Sequence, residues 1–526
     1  MSHSGQRERD FAPSSQGDEV DGRSPGEQAE PEPSRLNARR WAGFAGGLLA
    51  GLLVYLLMPG DVESAVKVTA AIAVLMGVWW MTEAIPIPAT ALVPLVAFPV
   101  LAGADIDDVG AAYGNNIIFL FMGGFFIAQA MQRWNLHRRI ALVTVRLIGT
   151  NPVRMVAGFM VATAFLSMWV SNTATAVMML PIGISVLALV VNLEKRTETP
   201  EVSETELKSA VVSSKFGTAL MLGIAYAASI GSLSTIIGTP PNALLVAHMS
   251  EQFDVQIGFG QWMVVGLPLS VVFLLLAWWL LTKVLFRPEI DQIPGGRELI
   301  TSELNKLGPM SSGETRVLGV FILAAVSWVA IPLIWPDSPP ISDAGIAMTV
   351  GVLLFTLPAG TARGVRLLDW QSAVKLPWGV LLLFGGGLAL SDQFSASGLT
   401  EWIGEQVGAL GGVPTLLLVV VVTTGVLFLT EITSNTATAA TFLPVATGVA
   451  LGLDLDPLLL AIPVALAATC AFMLPVATPP NAIAFGSGYV TIGQMVRGGL
   501  WLNLVGIVLI TAVTLTLAVV VFGIVY

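Results

Sequence analysis

Residues 167–181 read SMWVSNTATAVMMLP, and residues 430–444 read TEITSNTATAATFLP. Ser-Asn-Thr-Ala-Thr-Ala stands at the same register in both, and each string reaches a proline nine residues after its asparagine. Each is followed by a second shared string, Thr239-Pro240-Pro241-Asn242-Ala243 and Thr478-Pro479-Pro480-Asn481-Ala482. Apolar sequence surrounds these clusters. Polar groups inside a membrane segment are costly unless protein, water or a bound solute satisfies them. The same pair of clusters in both halves predicts one site built from two related repeats.

The rest of the chain supports a membrane setting. Of 526 residues, 55% are hydrophobic and 11% charged, and a soluble protein of this size carries about twice that charge. Many segments reach the ~20 apolar residues that cross a bilayer, so the fold class is all-α and polytopic. One cysteine and three histidines leave no disulfide framework and no clustered thiolate or imidazole metal site. A net charge of −10 argues against nucleic acid as a partner. Residues 1–34, rich in Ser, Gly, Pro, Asp and Glu, are predicted to be a disordered acidic tail.

Spans are expected at 42–58, 65–83, 89–103, 114–131, 216–249, 259–285, 317–336, 343–358, 377–396, 457–489 and 498–526, with an amphipathic basic stretch at 133–150. Two broken regions, 152–192 and 413–451, carry the Ser-Asn-Thr strings. Each could be a full span or a re-entrant hairpin, and basic residues decide between them. With the N-terminus cytoplasmic and both regions re-entrant, only Lys67 of the 25 Lys and Arg lies outside, as the positive-inside rule asks. Making one hairpin a span would reverse everything between the two, including Lys283 to Lys375. The reading is eleven spans, two re-entrant hairpins entering from opposite sides, and an external C-terminus. Such inverted repeats with broken helices meeting near mid-membrane are a recurrent plan of secondary transporters.

Ser, Asn and Thr are N-cap residues, so each hairpin tip presents a half-helix N-terminus with free N–H groups. Proline in Thr-Pro-Pro-Asn ends one helix and suits the first turn of the next. Four N-termini converging at mid-depth make an anion site without Lys or Arg. Half-helices ending just before the breaks expose carbonyls that suit a hard cation such as Na⁺. Matched oxygens complete two cation sites: Ser167 with Thr430, Ser171 with Ser434, and Asn172 with Asn435, beside the small Gly238 and Ala477. Glu431, whose repeat mate is Met168, reads as support for the cation site rather than a proton carrier. Asp392 and Glu83 read as interfacial, and His137 and His248 as loop-edge residues. Gly123-Gly124 and Gly385-Gly386-Gly387 read as close helix packing.

At these residues the chain resembles the divalent anion/sodium symporter family, the sodium-coupled dicarboxylate, citrate and sulfate carriers. The two SNTAT strings, GTPPNA and ATPPNA, Cys470-Ala471-Phe472-Met473-Leu474-Pro475-Val476, and Trp134-Asn135-Leu136-His137-Arg138-Arg139-Ile140-Ala141 carry the likeness, which covers about residues 40–526. The resemblance implies one Na⁺ site at Ser167, Ser171, Asn172 and Gly238 and another at Thr430, Thr433, Asn435 and Ala477. It implies substrate contacts from Asn172, Thr173, Thr239, Asn435, Thr436 and Thr478, with Pro240 and Pro479 packing nearby. It also implies a homodimer working by an elevator motion. The scaffold would be 35–150 and 317–412, the transport parts 151–285 and 413–526, and 286–316 a cytoplasmic loop.

The expected function is Na⁺-coupled uptake of a C4-dicarboxylate such as succinate, malate or fumarate across a prokaryotic plasma membrane. A dicarboxylate exchanger, a sulfate or citrate carrier, a proton-coupled carrier and an anion channel stand as alternatives. No nucleophile–base pair, metal cluster or P-loop points to an enzyme.

Overall fold

Apolar runs bounded by proline, glycine or a Ser, Thr or Asn cap become helices, as a chain in lipid requires when each backbone group must find an internal partner. The computed structural model describes residues 34–149, 151–195, 212, 214–293, 295–335, 338–408 and 413–525, and no strand occurs among them. The acidic tail expected over 1–34 lies, up to residue 33, outside the described residues, as does most of the polar loop at 193–215.

The first part runs α1 (Ser34–Leu57), α2 (Ser64–Thr82), the irregular α3 (Ile87–Ala102), α4 (Asn116–Arg133) and the amphipathic α5 (Leu136–Ile148). The first broken region forms α6 (Pro152–Ser167) and α7 (Asn172–Lys195). The first interrupted span gives α8 (Lys215–Ser232) and α9 (Pro240–Phe253), followed by α10 (Phe259–Leu285). Next come α11 (Gly296–Lys306), α12 (Ser312–Ile334), α13 (Asp343–Thr356), α14 (Trp378–Ala396) and α15 (Leu399–Gly408). The second broken region forms α16 (Thr415–Thr430) and α17 (Asn435–Gly452), and α18 (Leu458–Thr469), α19 (Pro479–Gly486) and α20 (Ile492–Phe522) complete the chain.

Eight helices among the described residues are long and apolar enough to cross a bilayer, and five apolar helices are shorter. One of the eight is Asn172–Val191 in α7, which length alone would make a span. Its neighbours show instead a helical hairpin. Ala164, near the end of α6, meets Gly231 at the end of α8, and Val156 and Met160 meet Gly223, so α6 and α8 run parallel. On the other leg Asn172 bonds Ser232 at the end of α8 while Gly183 faces Leu220 and Ile224, so α7 runs back antiparallel. The incoming leg has 16 residues, about 24 Å, short of the ~30 Å hydrocarbon core.

Helices α8 and α18 are the axes of this arrangement. From Phe216 to Ser232 and from Leu458 to Thr469 every residue is buried. The hairpin α6–α7 packs on α8, and α16–α17 packs on α18. Each hairpin is also gripped by the helix before it, α5 on α6 and α15 on α17. At the second grip backbones touch: a Cβ on Gly452 would collide with Gly404. The turn into each gripping helix is left-handed, at Asn135 (φ 55°) and Gly398 (φ 79°). The expected glycine pairs pack closely too, since a Cβ on Gly123 would strike Ala347 and one on Gly386 would strike Ala91.

Two expectations need correction. Helix α11 arises in the stretch read as a loop at 286–316, and α15 in residues 397–412, to which sequence reading assigns no element, because each is short, flanked by glycine and more polar than a span. His248 is not at a loop edge: it lies on α9 at 4% exposure, with α9 running to Phe253.

Candidate functional site

The bend of each hairpin is a four-residue break, Met168–Ser171 and Glu431–Ser434, flanked by helix on both sides. The same hydrogen bonds recur at both. Ser167 Oγ lies 2.6 Å from Asn172 Oδ1 and 2.6 Å from Ala228 O. Thr430 Oγ1 lies 2.8 Å from Asn435 Oδ1 and 2.8 Å from Ala468 O. A hydroxyl has one proton, so in each copy it donates to one of these two oxygens and leaves three electron-rich oxygens close together. Asn172 Nδ2 further donates to Ser232 Oγ at 3.3 Å. Sequence reading missed Ser232, which has no polar counterpart at Ala471.

The interrupted spans are held by their asparagines. Asn242 Nδ2 donates to the carbonyls of Leu233 (3.3 Å) and Thr235 (2.9 Å), with Ser232 O at 3.5 Å. Asn481 Nδ2 donates to Ala471 O and Leu474 O, both at 3.2 Å. Both asparagines are fully buried, and both Oδ1 atoms lack a hydrogen-bond partner among the described residues, as do Ser229 Oγ and Ser234 Oγ. These asparagines belong to a repeated string yet had been given no role. Their repetition was the signal.

The expected cation ligands take these positions. Ser167 and Asn172 meet at the first break, and a Cβ on Gly238 would collide with the carbonyl oxygen of Ser232, whose hydroxyl accepts from Asn172, so only glycine lets the backbone pass so close there. Ser171 Oγ accepts from Ala174 N at 3.3 Å, capping α7. Thr430 and Asn435 gather at the second break, and Ala477 is buried just before the Thr-Pro-Pro-Asn string. Thr433 is turned away from them: its Oγ1 donates to or shares a proton with Leu429 O (2.9 Å) and Thr438 Oγ1 (2.7 Å). A donor set of neutral hydroxyl, amide and carbonyl oxygens with buried unpartnered members fits a hard monovalent cation.

The expected substrate contacts surround the same N-termini. Thr173 and Pro479 are exposed, Asn172, Asn435, Thr436 and Pro240 half-buried, and Thr239 and Thr478 buried. Thr239 Oγ1 lies 3.3 Å from Thr469 Oγ1, which links the two repeats directly. Thr478 Oγ1 caps Asn481 N at 3.3 Å.

Glu431 has the densest set of partners. At 3% exposure its carboxylate accepts from Phe472 N (2.7 Å), Met473 N (2.9 and 3.0 Å), Leu474 N (3.1 Å) and Asn503 Nδ2 (2.7 Å). It closes the gap that follows α18 and bonds no hydroxyl of the cation cluster. Its bonds hold the backbone of residues 472–474.

Comparison with known proteins gives the site its family. A family model described as sodium:sulfate symporter transmembrane region matches residues 39–524. A sodium-dependent dicarboxylate transporter SdcS of Staphylococcus saprophyticus is 44% identical over 483 residues, 91% of each chain. The SdcS of Staphylococcus aureus strain USA300 is also 44% identical, over 92% of this chain and 93% of its own. Among solved structures, the YdaH transporter of Alcanivorax borkumensis superposes with a TM-score of 0.51 at 13% identity, covering 87% of this chain and 98% of that one; it speaks to fold alone. Matched over nearly its whole length, the chain belongs to the sodium:sulfate symporter transmembrane family.

Proposed function

We propose that the protein is a secondary carrier that couples Na⁺ to uptake of a C4-dicarboxylate such as succinate, malate or fumarate. The observation that carries this is the twice-built cluster: a hydroxyl, an asparagine and a helix-end carbonyl at each break, with no basic side chain in any of the four strings. A dianion at four helix N-termini is favoured by their N–H groups and partial charge. Sodium ions at the flanking oxygens offset its charge in a site of low dielectric, so each ligand promotes binding of the other. The relatives' name, sodium-dependent dicarboxylate transporter, supports the same pairing.

We further propose eleven spans with two re-entrant hairpins, a cytoplasmic N-terminus and an external C-terminus in the plasma membrane. Residues 35–150 and 317–412 form the scaffold of a homodimer, and 151–285 and 413–526 form a bundle that carries the site across as an elevator. Packing supports a bundle caught toward the cytoplasm. Legs α9 and α17 lie on the scaffold helices α14, α2 and α4, whereas α7 and α19 pack mainly on α8 and on each other. Val177 on α7 is 54% exposed.

Proteoliposomes test the coupling. Uptake of labelled succinate should follow an inward Na⁺ gradient and ignore K⁺. Uptake that instead follows only a pH gradient rejects sodium coupling. Because neutral donors accept sulfate as readily as carboxylate, and the family model is described by sulfate, the competition panel includes sulfate and citrate. Inhibition by sulfate in preference to succinate would move the substrate reading.

A further inference from the structure

The seam between bundle and scaffold is mostly smooth. A Cβ at Gly387 of α14 would sit in ordinary or tight contact with Ala440 (3.2 Å) and Leu244 (3.4 Å), and one at Gly77 of α2 with Thr441 (3.3 Å). Small apolar surfaces of this kind can shift past each other by exchanging one van der Waals neighbour for another. One end of the seam is different. His248 Nδ1 lies 2.5 Å from Ser391 Oγ on α14, and one helical turn on, Gln252 Nε2 donates to Asp392 Oδ1 at 2.6 Å while Gln252 Oε1 accepts from Ser395 Oγ. His248, Ser391 and the hydroxyl of Thr447 are all buried.

The hydrogen bonding fixes how His248 is used. Thr447 Oγ1 lies 3.1 Å from Leu443 O and Pro444 O, to which it donates, so it accepts from His248 Nε2 at 3.0 Å. A neutral imidazole with its proton on Nε2 then accepts a hydrogen bond from the Ser391 hydroxyl at Nδ1, and every member of the chain is satisfied. One ring thus ties α9 to α17 within the bundle and both to the scaffold.

We propose that His248 is a positioning residue for the transport cycle: its bond to Ser391, with the Gln252–Asp392–Ser395 set beside it, is a catch that holds the external face shut. This rests on the elevator reading above, in which residues 250–258 are external. Any slide of α9 along α14 separates these partners and leaves buried donors and acceptors unmet, a cost the apolar part of the seam lacks. The catch therefore weights the resting protein toward the closed-outside state. Apparent affinity from outside is divided by the fraction of protein that is open there.

The test uses the full chain with Cys470→Ala and Val177→Cys, labelled from the cytoplasmic side by an impermeant maleimide, alongside Na⁺-driven succinate uptake. Ser391→Ala and Gln252→Ala should each lower the half-saturating external Na⁺ roughly three- to tenfold, the weight of one such hydrogen bond. Cytoplasmic labelling at position 177 should slow to match. Simple damage to the fold would raise the Na⁺ requirement instead. Thr447→Val, which cuts only the bond inside the bundle, should not lower it. Labelling of the parent that ignores Na⁺ and succinate overturns the sliding reading and the catch with it. Labelling that responds in the parent but is unchanged in both variants, with an unaltered or raised Na⁺ requirement, overturns the catch alone.

Discussion

The two helix breaks that follow α8 and α18 present the same asparagine geometry to the site, yet they are held together by opposite chemistry. The first is held through its carbonyls: Trp262 Nε1 donates to Leu233 O (3.2 Å) and Ser270 Oγ to Ile230 O (2.7 Å), while Thr235 Oγ1 donates to Met168 O (2.6 Å). The second is held through its amides, three in a row taken by the Glu431 carboxylate. Met168 and Glu431 occupy the same place in the two repeats, so one copy supplies a backbone oxygen where the other supplies a charged side chain. The two copies agree in the hydroxyl–asparagine cluster and differ in the struts behind it. Sharing a motif therefore does not make the two breaks equally tolerant of change.

The sharpest way to break this contrast is to remove each strut. Glu431→Ala leaves three backbone amides, that of Phe472 buried and those of Met473 and Leu474 half-buried, and the buried Asn503 without an acceptor, and should destabilise the protein by about 3 kcal/mol or more, with transport lost. Thr235→Val removes one neutral hydrogen bond and should cost only about 1 kcal/mol. Thermal unfolding of both in detergent checks this, and equal losses would mean the carboxylate carries no special weight. Next in size, Asn172→Ala and Asn435→Ala should each cut Na⁺-driven uptake by at least about tenfold, as expected if the amide oxygen serves the proposed cation and an N–H the proposed anion. If only one is impaired, the two cation sites are not equivalent. Asn242→Ala and Asn481→Ala should each cost about 1–3 kcal/mol by freeing the carbonyls they bind. Here the repeats should agree, since both asparagines make the same reach.

The smallest effect lies outside the membrane segments. Glu303 on α11 is held below the ordinary glutamate range chiefly by the hydrogen bond from Lys306, with the Lys306 and Arg138 charges adding to it against the pull of burial. A depressed folded-state value means the contribution is complete above the unfolded value and is lost as pH falls through the folded one. Because Lys306 and Arg138 are well exposed, Glu303→Gln should cost no more than a few tenths of a kcal/mol near neutral pH. The difference from the parent should vanish on acidification, read from unfolding midpoints across pH.

Much of the site was legible because it is written twice. The Ser-Asn-Thr and Thr-Pro-Pro-Asn strings mark the bends, the breaks and the partners Ser167, Asn172, Thr430 and Asn435. What lacked a twin was hidden. Ser232 and Thr469 sit at helix ends where the other repeat has a different residue, and Asn503 meets Glu431 only through tertiary packing. His248 was misread because a helix that restarts after two prolines carries past the point where apolar periodicity fades. Helix α11 was hidden for a related reason: its stability comes from docking on α5 and α7, which no local pattern announces.

The grip of α5 and α15 on their hairpins has a mechanical meaning. Where Gly404 and Gly452 bring backbones into contact, α15 and α17 have no soft side chains between them, so in the sliding motion proposed above α15 would follow α17, and the scaffold would give way before residue 398 rather than at 412. Bending then has to occur upstream, in the turns that leave α4 and α14. Asn135 and Gly398, the left-handed residues of those turns, are separated along the chain by the same interval as Asn172 and Asn435. They are a matched pair of left-handed turns, one in each repeat, and would serve as hinges in the proposed motion. Glycine pays little for a positive φ and can leave it freely, whereas asparagine holds it at some cost. The two hinges therefore differ in stiffness, and a displacement of the hairpins turns more easily about Gly398 than about Asn135.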